Sequence, residues 1–357
     1  MSAMNDTSHL HNLPSNSFCT GRLPAGCRQC STGAKMVLLV TGQCPANCFY
    51  CPLSAKKRGH DVIYANELQV HDDEDILDEG DAIEASGTGI TGGEPLLVPR
   101  RAARYIQLLK QHFGTGHHVH LYTAHMDRSK IERLIDAGLD ELRLHPPVSV
   151  WSHIETTALE ATVTGLPIPV GIEIPVLPDM RTETRHLLET IAGYDIDFVN
   201  LNELEFSATN HQALERRGYH IKSDVSNAVE GSEQLAYEIA RWNLPLPVHY
   251  CSSSFKDAVQ LRRRLARRAR NVARLYDVIT DDGTLRKGII MASREDLPEL
   301  RERFDIEPGM MVWDSEKKRV ETSPTVAAWL AGRVPFPCFV VEEYPTVDRL
   351  EVEREPL

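Results

Sequence analysis

The sequence predicts an α/β protein: a partial (β/α)6 barrel with a cysteine-rich N-terminal arm and a small α+β C-terminal domain. Strand-like and helix-like segments alternate from about residue 35 to residue 205. Several of the strand-like segments carry polar residues on one alternating face, and six of the eight cysteines fall within the first 51 residues. Alternating β and α units form a parallel sheet with helices outside it.

Composition and charge exclude several classes of protein. The chain has 357 residues and a formal net charge of −12, so its global field disfavours binding to nucleic acids. The longest aliphatic run, Met36 to Val40, is too short to cross a bilayer. The first residues lack the basic and apolar regions of a signal peptide. We therefore expect a cytoplasmic protein with no membrane partner.

The predicted elements follow one another in order. Residues 1–18 are polar and are predicted to be disordered, within an arm of residues 1–34. Six strands are predicted for the core of residues 35–250, near 35–41, 87–92, 118–124, 141–145, 169–176 and 197–205. Helices are predicted near 72–85, 99–112, 128–137, 152–164 and 182–192. An open doubly wound sheet has the same pattern, so periodicity leaves both architectures open.

One alternating face of these strands is polar. Side chains alternate across a strand, so each polar set points to one side of the sheet. Because a fully buried parallel sheet is almost continuously apolar, this face predicts a wet barrel interior that holds a ligand. Strand-end residues that bond to neighbouring loops are the alternative. The polar residues are His118, His120, Tyr122, Arg143, His145, Glu173, Asn200 and Asn202.

A cysteine motif follows the first predicted strand. In TGQCPANCFYCPLS, residues 41–54, Cys44, Cys48 and Cys51 have C-x3-C-x2-C spacing. A loop of this size can wrap three thiolates around three corners of a cubane cluster. The next cysteine, Cys251, is 200 residues further on, so the fourth iron would stay open to an external ligand.

This motif, with Tyr50 directly before its third cysteine, resembles the signature of the radical S-adenosylmethionine (SAM) superfamily. Thr91-Gly92-Gly93-Glu94-Pro95, one β/α unit later, is similar to the GGE motif of the same superfamily. The resemblance implies a [4Fe–4S] cluster on Cys44, Cys48 and Cys51 with SAM bound at the open iron. It also implies cleavage of SAM to a 5′-deoxyadenosyl radical that abstracts a hydrogen atom from the substrate.

The resemblance also assigns roles to further residues. Gly92, Gly93 and Glu94 would bind the methionyl end of SAM, because glycines allow close backbone approach and a carboxylate suits an ammonium group. Tyr50 would lie against the adenine. Asn200, Asn202 and Glu203 are further candidates for SAM binding. The polar strand face, rather than the resemblance, selects Arg143, His145 and Glu173 as the candidate catalytic residues, which would orient SAM or the substrate. Extended similarity indicates a branch related to the activating enzyme of pyruvate formate-lyase, with ferredoxin or flavodoxin as the electron donor.

A second cysteine group lies upstream of the first strand. Cys27 and Cys30 form a CxxC knuckle of the kind that holds zinc or an iron–sulfur cluster, with Cys19 as a third ligand. Cys251 is the candidate fourth ligand, and His249 could replace it at a zinc site. A structural zinc, a second cluster and free thiols all stay open. Cys338 is predicted to be a core residue.

The end of the chain is the least informative part. Residues 251–275 include a basic amphipathic helix predicted over 255–274, and residues 276–357 are read as a small α+β domain. The arginines of the basic helix either pair with carboxylates at the surface or contact RNA. Three functions follow: radical modification of a metabolite or protein side chain, including glycyl-radical activation; tRNA modification through the basic helix; or non-catalytic zinc binding.

Overall fold

The computed structural model describes residues 10–357, which divide into two compact units. The first unit runs up to Gly80 and continues over Ala85–Leu261, and the second contains Asp81–Glu84 and Arg262–Leu357. The expected boundaries after residues 34, 250 and 275 stay predictions. No helix among residues 10–357 combines the length and the apolar character needed to cross a membrane.

The first unit contains thirteen strands and nine α-helices among its described residues. The strands are β1 (His11–Asn12), β2 (Phe18–Cys19), β3 (Lys35–Leu39), β4 (Tyr64–Ala65), β5 (Leu68–Gln69), β6 (Gly87–Thr91), β7 (His118–Thr123), β8 (Glu141–Leu144), β9 (Val170–Val176), β10 (Phe198–Glu203), β11 (Ile221–Ser223), β12 (Ser226–Val229) and β13 (Val248–Cys251). The α-helices are α1 (Ala25–Ser31), α2 (Asp73–Ala82), α3 (Pro99–Phe113), α4 (Arg128–Asp136), α5 (Leu159–Val163), α6 (Arg181–Ile191), α7 (His211–Arg216), α8 (Ser232–Ile239) and α9 (Ser253–Phe255).

Eleven of these strands form one sheet in the order β1-β2-β13-β10-β9-β8-β7-β6-β3-β4-β5. Seven neighbours, from β3 to β13, run parallel, and their order follows the chain without a reversal. A doubly wound sheet reverses its strand order at a switch point, so this topology excludes that alternative. The sequence predicted six parallel strands, and β13 is the seventh. Closure into a partial barrel stays a prediction.

Residues 10–18 contradict the predicted disorder of residues 1–18, while residues 1–9 lie outside the described residues. β1 pairs antiparallel with β2, and β2 pairs antiparallel with β13, so that Cys19 lies opposite His249. Phe18 is fully buried and stacks on Tyr250. Backbone pairing with a partner more than 200 residues away therefore orders this segment, which the polar local sequence could not reveal.

Helix α1 packs against β3, β6 and β7, and the two glycines of β6, Gly87 and Gly89, leave room on this face of the sheet. A Cβ atom on Gly87 would overlap the Gln29 side chain of α1, and one on Gly89 would lie 2.7 Å from the His120 imidazole. On the helix, a Cβ on Gly26 would overlap the same imidazole. α1 therefore closes one end of the polar face of the sheet.

Two predicted helices differ from the observed ones. The helix expected over 152–164 is a 3₁₀ segment, Val148–Thr156, followed by the short α5. The basic helix expected over 255–274 is divided into three parts. The short α-helix α9 is followed by a π-helical turn, Lys256–Leu261, and a longer α-helix begins at Arg262. A further 3₁₀ turn, Pro95–Leu97, follows the glycine motif.

The second unit has its own antiparallel sheet and core. Its strands are β14 (Val278–Ile279), β15 (Leu285–Ile290), β16 (Met311–Asp314), β17 (Arg319–Thr322), β18 (Cys338–Glu343) and β19 (Glu351–Pro356). Its helices are α10 (Arg262–Val272), α11 (Leu297–Arg303), α12 (Pro324–Leu330) and the 3₁₀ turn Pro308–Met310. Cys338 is buried in the apolar core of this unit, as predicted.

Several arginines of α10, and Arg274 just after it, bind within the second unit. Arg267 donates to the carbonyl of Ile83 at 2.6 Å, and Arg268 donates to the carbonyl of Pro345 at 2.6 Å. Arg262 donates to the carbonyl of Asp281 at 2.8 Å, and Arg274 bonds to the buried Glu321. These bonds favour a structural role for the basic helix. RNA binding through it stays a prediction without support from these contacts.

Candidate active site

A cavity of about 810 Å³ opens where the parallel strands end, within the first unit. Most of the residues predicted from the sequence to form the site line this one cavity. They are Cys44, Cys48, Tyr50, Cys51, Gly92, Gly93, His145, Glu173, Asn202 and Glu203. Cavities of this size, at the carboxyl ends of parallel strands, are where α/β proteins bind their ligands. Glu94, Arg143 and Asn200 do not line it.

The cysteine loop follows β3 and packs on the glycine motif through backbone hydrogen bonds. The amide of Gly93 donates to the carbonyl of Thr41 at 2.7 Å, and the amide of Glu94 donates to the carbonyl of Gln43 at 2.8 Å. A Cβ on Gly93 would overlap that Gln43 carbonyl, and one on Gly92 would lie 2.7 Å from the Thr41 oxygen. Only glycines permit this approach, which brings the two motifs to one wall of the cavity.

The three thiols of the loop are a donor set suited to iron. Cys44, Cys48 and Cys51 are free thiols, partly or fully accessible, and all three line the cavity. Among residues 10–357, no three His, Cys, Asp or Glu side chains converge as one metal ion would require. A cubane cluster makes a different demand, because each thiolate binds its own iron. The residues present therefore fit a cluster rather than a single ion.

An ion pair that sequence reasoning missed supports the start of the loop. Asp61 accepts from Thr41 Oγ1 at 2.9 Å and forms a bidentate pair with Arg101, at 2.5 and 2.9 Å. Arg101 also donates to the carbonyl of Val40 at 2.9 Å. Hydrogen bonds from Arg101 lower the pKa of Asp61, so the pair stays ionised at neutral pH. The residues lie 40 positions apart without a motif, so the sequence offered no signal.

The structure does not bring the Glu94 carboxylate to the cavity, where the resemblance implied that it would meet an ammonium group. Glu94 is almost fully buried. Its Oε1 accepts from the Leu96 amide at 2.9 Å and from Thr123 Oγ1 at 2.6 Å, and its Oε2 accepts from the Ala124 amide at 2.9 Å. Glu94 therefore ties the glycine motif to the end of β7, whose residues Thr123 and Ala124 line the cavity.

His145 and Tyr50 form a partly buried, hydrogen-bonded pair at the wall of the cavity. His145 Nδ1 lies 2.7 Å from the carbonyl of Glu173, and its Nε2 lies 2.8 Å from the Tyr50 hydroxyl. Burial lowers the pKa of His145, so the ring is neutral at pH 7. A carbonyl can only accept, so Nδ1 carries the proton and Nε2 accepts from Tyr50. Tyr50 is thereby held at the cavity wall, and its contact with adenine stays a prediction.

Glu173 joins the cavity to a buried ionic layer beneath it. Its Oε1 accepts from Asn202 at 2.8 Å, and its Oε2 accepts from Arg143 at 2.9 Å. Arg143 also bonds to Glu141 at 2.7 Å, and its exposed fraction is only 2%. Arg143 therefore acts on the cavity through Glu173 rather than directly, which differs from the catalytic role expected of it.

Asn200 also belongs to the buried layer, although it was expected to bind the cofactor. Its Oδ1 lies 2.5 Å from His249 Nδ1 and 3.9 Å from the Cys27 thiol. Asn202 is two residues further along β10 and reaches the cavity instead. Both side chains point to the same face of the sheet, but at different levels.

The second cysteine group is partly assembled in the same buried layer. The Cys27 thiol lies 3.3 Å from Arg143 Nη2, and burial raises the pKa of Cys27 to about 12. Cys19 is opposite His249. Burial raises the pKa of Cys251, and the nearby Cys27 and Cys30 raise it further while the Lys256 charge opposes them. The described residues hold no three-ligand geometry for a single ion. Zinc or a second cluster on Cys19, Cys27, Cys30 and Cys251 stays a prediction.

Lys256 and Glu205 also line the cavity, and sequence reasoning did not select either. Their side chains form an ion pair. Lys256 opens the π-helical turn, and such turns often occur at functional sites. The expectation of a regular helix over 255–274, which includes Lys256, concealed this turn.

Comparisons with known proteins agree with the geometry of this site. The model of the radical SAM superfamily matches residues 38–146, which contain both motifs. A domain of unknown function (DUF8061) matches residues 283–357. A protein of Methanocaldococcus jannaschii, provisionally named a glycyl-radical enzyme activating enzyme, is 39% identical over 353 residues, covering 94% of this chain and 93% of the relative.

These matches confirm the resemblance drawn from Cys44, Cys48, Cys51 and the glycine motif, and they contradict the interpretation of the chain as a non-catalytic zinc-binding protein. Members of the superfamily carry a [4Fe–4S] cluster and use SAM, as predicted here. The chain belongs to the radical SAM superfamily, in the branch related to the activating enzyme of pyruvate formate-lyase, and it is an enzyme of that class.

Proposed function

We propose that this enzyme activates a partner protein by removing a hydrogen atom from a glycine of its backbone. The observation that carries the proposal is the meeting of Cys44, Cys48, Cys51 and the Gly92–Gly93 backbone at one cavity. The name of the M. jannaschii relative supports a glycyl-radical enzyme as the substrate. A (β/α)6 partial barrel, consistent with the sequential strand order, would present this cavity to the partner.

The cluster would be held by the three thiolates, and SAM would bind at its open iron. When bound, the two groups supply an electron and a 5′-deoxyadenosyl radical that abstracts the hydrogen atom. The chain's own residues bind and orient the reactants. The backbone at Gly92 and Gly93 lets a ligand approach closely, and the Glu173–Asn202 pair presents polar atoms at the opposite wall.

The polar atoms of the cavity wall are fixed before any ligand binds. The Tyr50–His145–Glu173 chain and the Arg143–Glu173 bond hold the side chains in place from behind. Preorganised groups lose little conformational freedom on binding, which favours both affinity and correct geometry. We expect a small ferredoxin or flavodoxin as the electron donor, because an activating enzyme needs an external reductant.

The test of the radical chemistry is electron paramagnetic resonance of anaerobically reconstituted, dithionite-reduced protein, before and after addition of SAM. We expect a [4Fe–4S]⁺ signal that changes on adding SAM and is lost in the Cys44→Ala/Cys48→Ala/Cys51→Ala variant. A Cys27→Ala/Cys30→Ala variant identifies the part of the signal that comes from any second cluster at these cysteines. A wild-type cluster whose paramagnetic signal does not change when SAM is added would contradict the proposal.

The test of the substrate class uses synthetic peptides with one glycine deuterated at Cα. Hydrogen abstraction from that carbon would transfer deuterium to 5′-deoxyadenosine, which mass spectrometry detects. The control peptides carry alanine, deuterated at Cα, at the same position. Transfer from neither peptide, with 5′-deoxyadenosine still formed, would argue for a small-molecule substrate.

A further inference from the structure

A segment shortly after β10 contacts the end of the cysteine loop, whereas the glycine motif contacts its beginning. We call residues 205–210 the clamp segment. In it, Asn210 Nδ2 donates to the carbonyl of Tyr50 at 3.1 Å and to the carbonyl of Glu205 at 2.9 Å. The hydroxyl of Thr209 approaches the carbonyl of Cys51 at 3.4 Å. The contacts therefore fall on the two residues that end the cluster motif.

The orientation of the Asn210 amide is determined by its other atom. Oδ1 accepts from the backbone amide of Ser207 at 2.7 Å, so Nδ2 must face the two carbonyl oxygens. Asn210 has an exposed fraction of only 1%, and water cannot replace these bonds. An asparagine supplies one acceptor and two donors on a short side chain, which this position uses completely.

Asn210 also links the loop to the far wall of the cavity. Glu205, whose carbonyl accepts one of its two hydrogen bonds, pairs through its carboxylate with Lys256. Both Glu205 and Lys256 line the same cavity as the glycine motif. One amide nitrogen therefore joins the backbone of the cavity wall to the backbone between Tyr50 and Cys51.

A second contact involves Phe49, the residue before Tyr50. The Arg217 guanidinium, just after α7, lies 4.3 Å from the centre of the Phe49 ring. Arg217 is held in turn by Asp179 at 2.9 Å. Asn210 is directly before α7, so both ends of this short helix contact the stretch from Phe49 to Cys51.

We propose that Asn210 is a positioning residue for the iron–sulfur cluster: it fixes the backbone carbonyl of Tyr50 and so holds the Cys48–Cys51 half of the loop in register with the cavity wall. Without it, the buried carbonyls of Tyr50 and Glu205 lose their donor, and the loop can shift away from the wall. This inference rests on the proposed function, because it assumes that Cys44, Cys48 and Cys51 bind the cluster.

The test compares Asn210→Asp and Asn210→Ala with the wild-type, full-length protein, reconstituted without oxygen. Aspartate keeps the acceptor for Ser207 but presents oxygen to two carbonyl oxygens, whereas alanine only removes the donors. We expect the rate of iron transfer to an excess of chelator to rise about tenfold for Asn210→Asp and by a smaller factor for Asn210→Ala. The paramagnetic signal of the reduced cluster should also broaden.

Asn66→Asp is the matched control. Asn66 is a buried asparagine whose amide donates to Glu79 at 2.8 Å and whose Oδ1 accepts from the Val37 amide, two partners that lie outside residues 44–51. We expect its iron release to stay within about twofold of wild type, even though the protein is less stable to urea. Equal acceleration in Asn66→Asp and Asn210→Asp would mean general destabilisation and would overturn the proposal.

The outcomes separate this inference from the proposed function. If wild-type protein forms a SAM-responsive cluster and Asn210→Asp releases iron at the wild-type rate, the positioning role is wrong and the proposed function stands. If wild-type protein forms no such cluster at the three cysteines, the proposed function fails first, and the positioning role fails with it. Faster release confined to the Asn210 variants supports the positioning role.

Discussion

The inner face of the parallel sheet has two levels that differ sharply, although the same strands supply both. At the cavity level, Tyr122, His145, Glu173 and Asn202 border open space. Two residues earlier in each strand lies a second level, here called the plug level, which consists of His120, Arg143, Gly171 and Asn200. All four residues are buried, and His120 and Arg143 pack against α1. Alternation along a strand assigns a side chain to a face, but only its distance from the strand end decides which level it occupies.

The difference in burial changes what each polar residue contributes. Arg143 has little water around it, so its charge must be satisfied by the carboxylates of Glu141 and Glu173. Polar residues at the cavity level keep access to a ligand. The plug level should therefore determine stability, and the cavity level should determine binding. The following predictions test this division, beginning with the largest expected effect.

Arg143→Met should lower the free energy of unfolding by about 3–5 kcal/mol, because it leaves Glu141 and Glu173 as buried charges without their partner. Urea denaturation followed by circular dichroism measures the loss. Lys130→Met, which breaks an exposed pair with Asp127, should cost no more than about 0.5 kcal/mol. A loss below about 1 kcal/mol for Arg143→Met would mean that water reaches the plug level.

Acid should destabilise the closed end of the sheet through His117. Burial, together with the positive charges of Lys35 and Lys110, lowers the pKa of His117 to about 4, against the opposing effects of a hydrogen bond with the Ala85 backbone and of the Asp140 charge. Because its folded pKa lies below the unfolded value of about 6.5, the unfolded state binds more protons between pH 6.5 and 4. Stability is therefore complete above about pH 6.5 and falls as the pH drops through this window, by on the order of 2 kcal/mol.

The His117→Gln variant supplies the comparison for the acid effect. Glutamine cannot take up a proton, so the acid limb of its stability curve should be flatter than that of wild type. The comparison uses urea unfolding at a series of pH values between 4 and 7. Parallel curves for the two proteins would show that His117 does not contribute.

Gly26→Ala should cost about 2 kcal/mol, because a Cβ atom there would overlap the His120 imidazole and lie 2.7 Å from Arg143 Nη2. Gly116→Ala is the matched control, since a Cβ at that position meets no atom within 4 Å among the described residues. Thermal unfolding of the two variants measures the difference. Equal transition temperatures would contradict the close packing of α1.

His145→Phe should have the smallest effect on stability, about 1 kcal/mol, because it removes two hydrogen bonds at the edge of an open cavity. Its effect on ligand binding should be larger, since the Tyr50 hydroxyl and the Glu173 carbonyl lose their common partner. The change in the paramagnetic signal on SAM addition measures binding. A response equal to that of wild type would place ligand contacts away from this wall.

The sequence predicted the parts of the site that depend on local pattern. The spacing of Cys44, Cys48 and Cys51 and the glycines at 92 and 93 identified the superfamily, because a loop and a tight turn carry their geometry within a few residues. The alternation of side chains in the sequence also predicted the polar face of β7, β8, β9 and β10. The buried hydrogen bonds of Glu94 and Asn200 could not be read from the sequence, because the neighbours that a side chain meets depend on strands that are distant in sequence. Contacts of these two residues with SAM stay predictions.

The residues that support the loop had no local signal. Asp61, Arg101 and Asn210 contact the loop or its flanking backbone from 20 to 160 positions away, outside any motif. The ordered arm of residues 10–19 was missed for the same reason, because its hydrogen-bond partners are on β13.

By itself, the sequence determined the chemistry: alternating β and α units, a three-cysteine loop after the first core strand, and a glycine turn beside it. Only the tertiary structure decided which polar residues face the cavity, which are buried as ion pairs, and which distant side chains hold the loop. The physical reason is the distance along the chain between the residues that determine each feature. Turn geometry and strand alternation are fixed by neighbouring residues, whereas burial and charge pairing arise only when strands distant in the chain pack side by side.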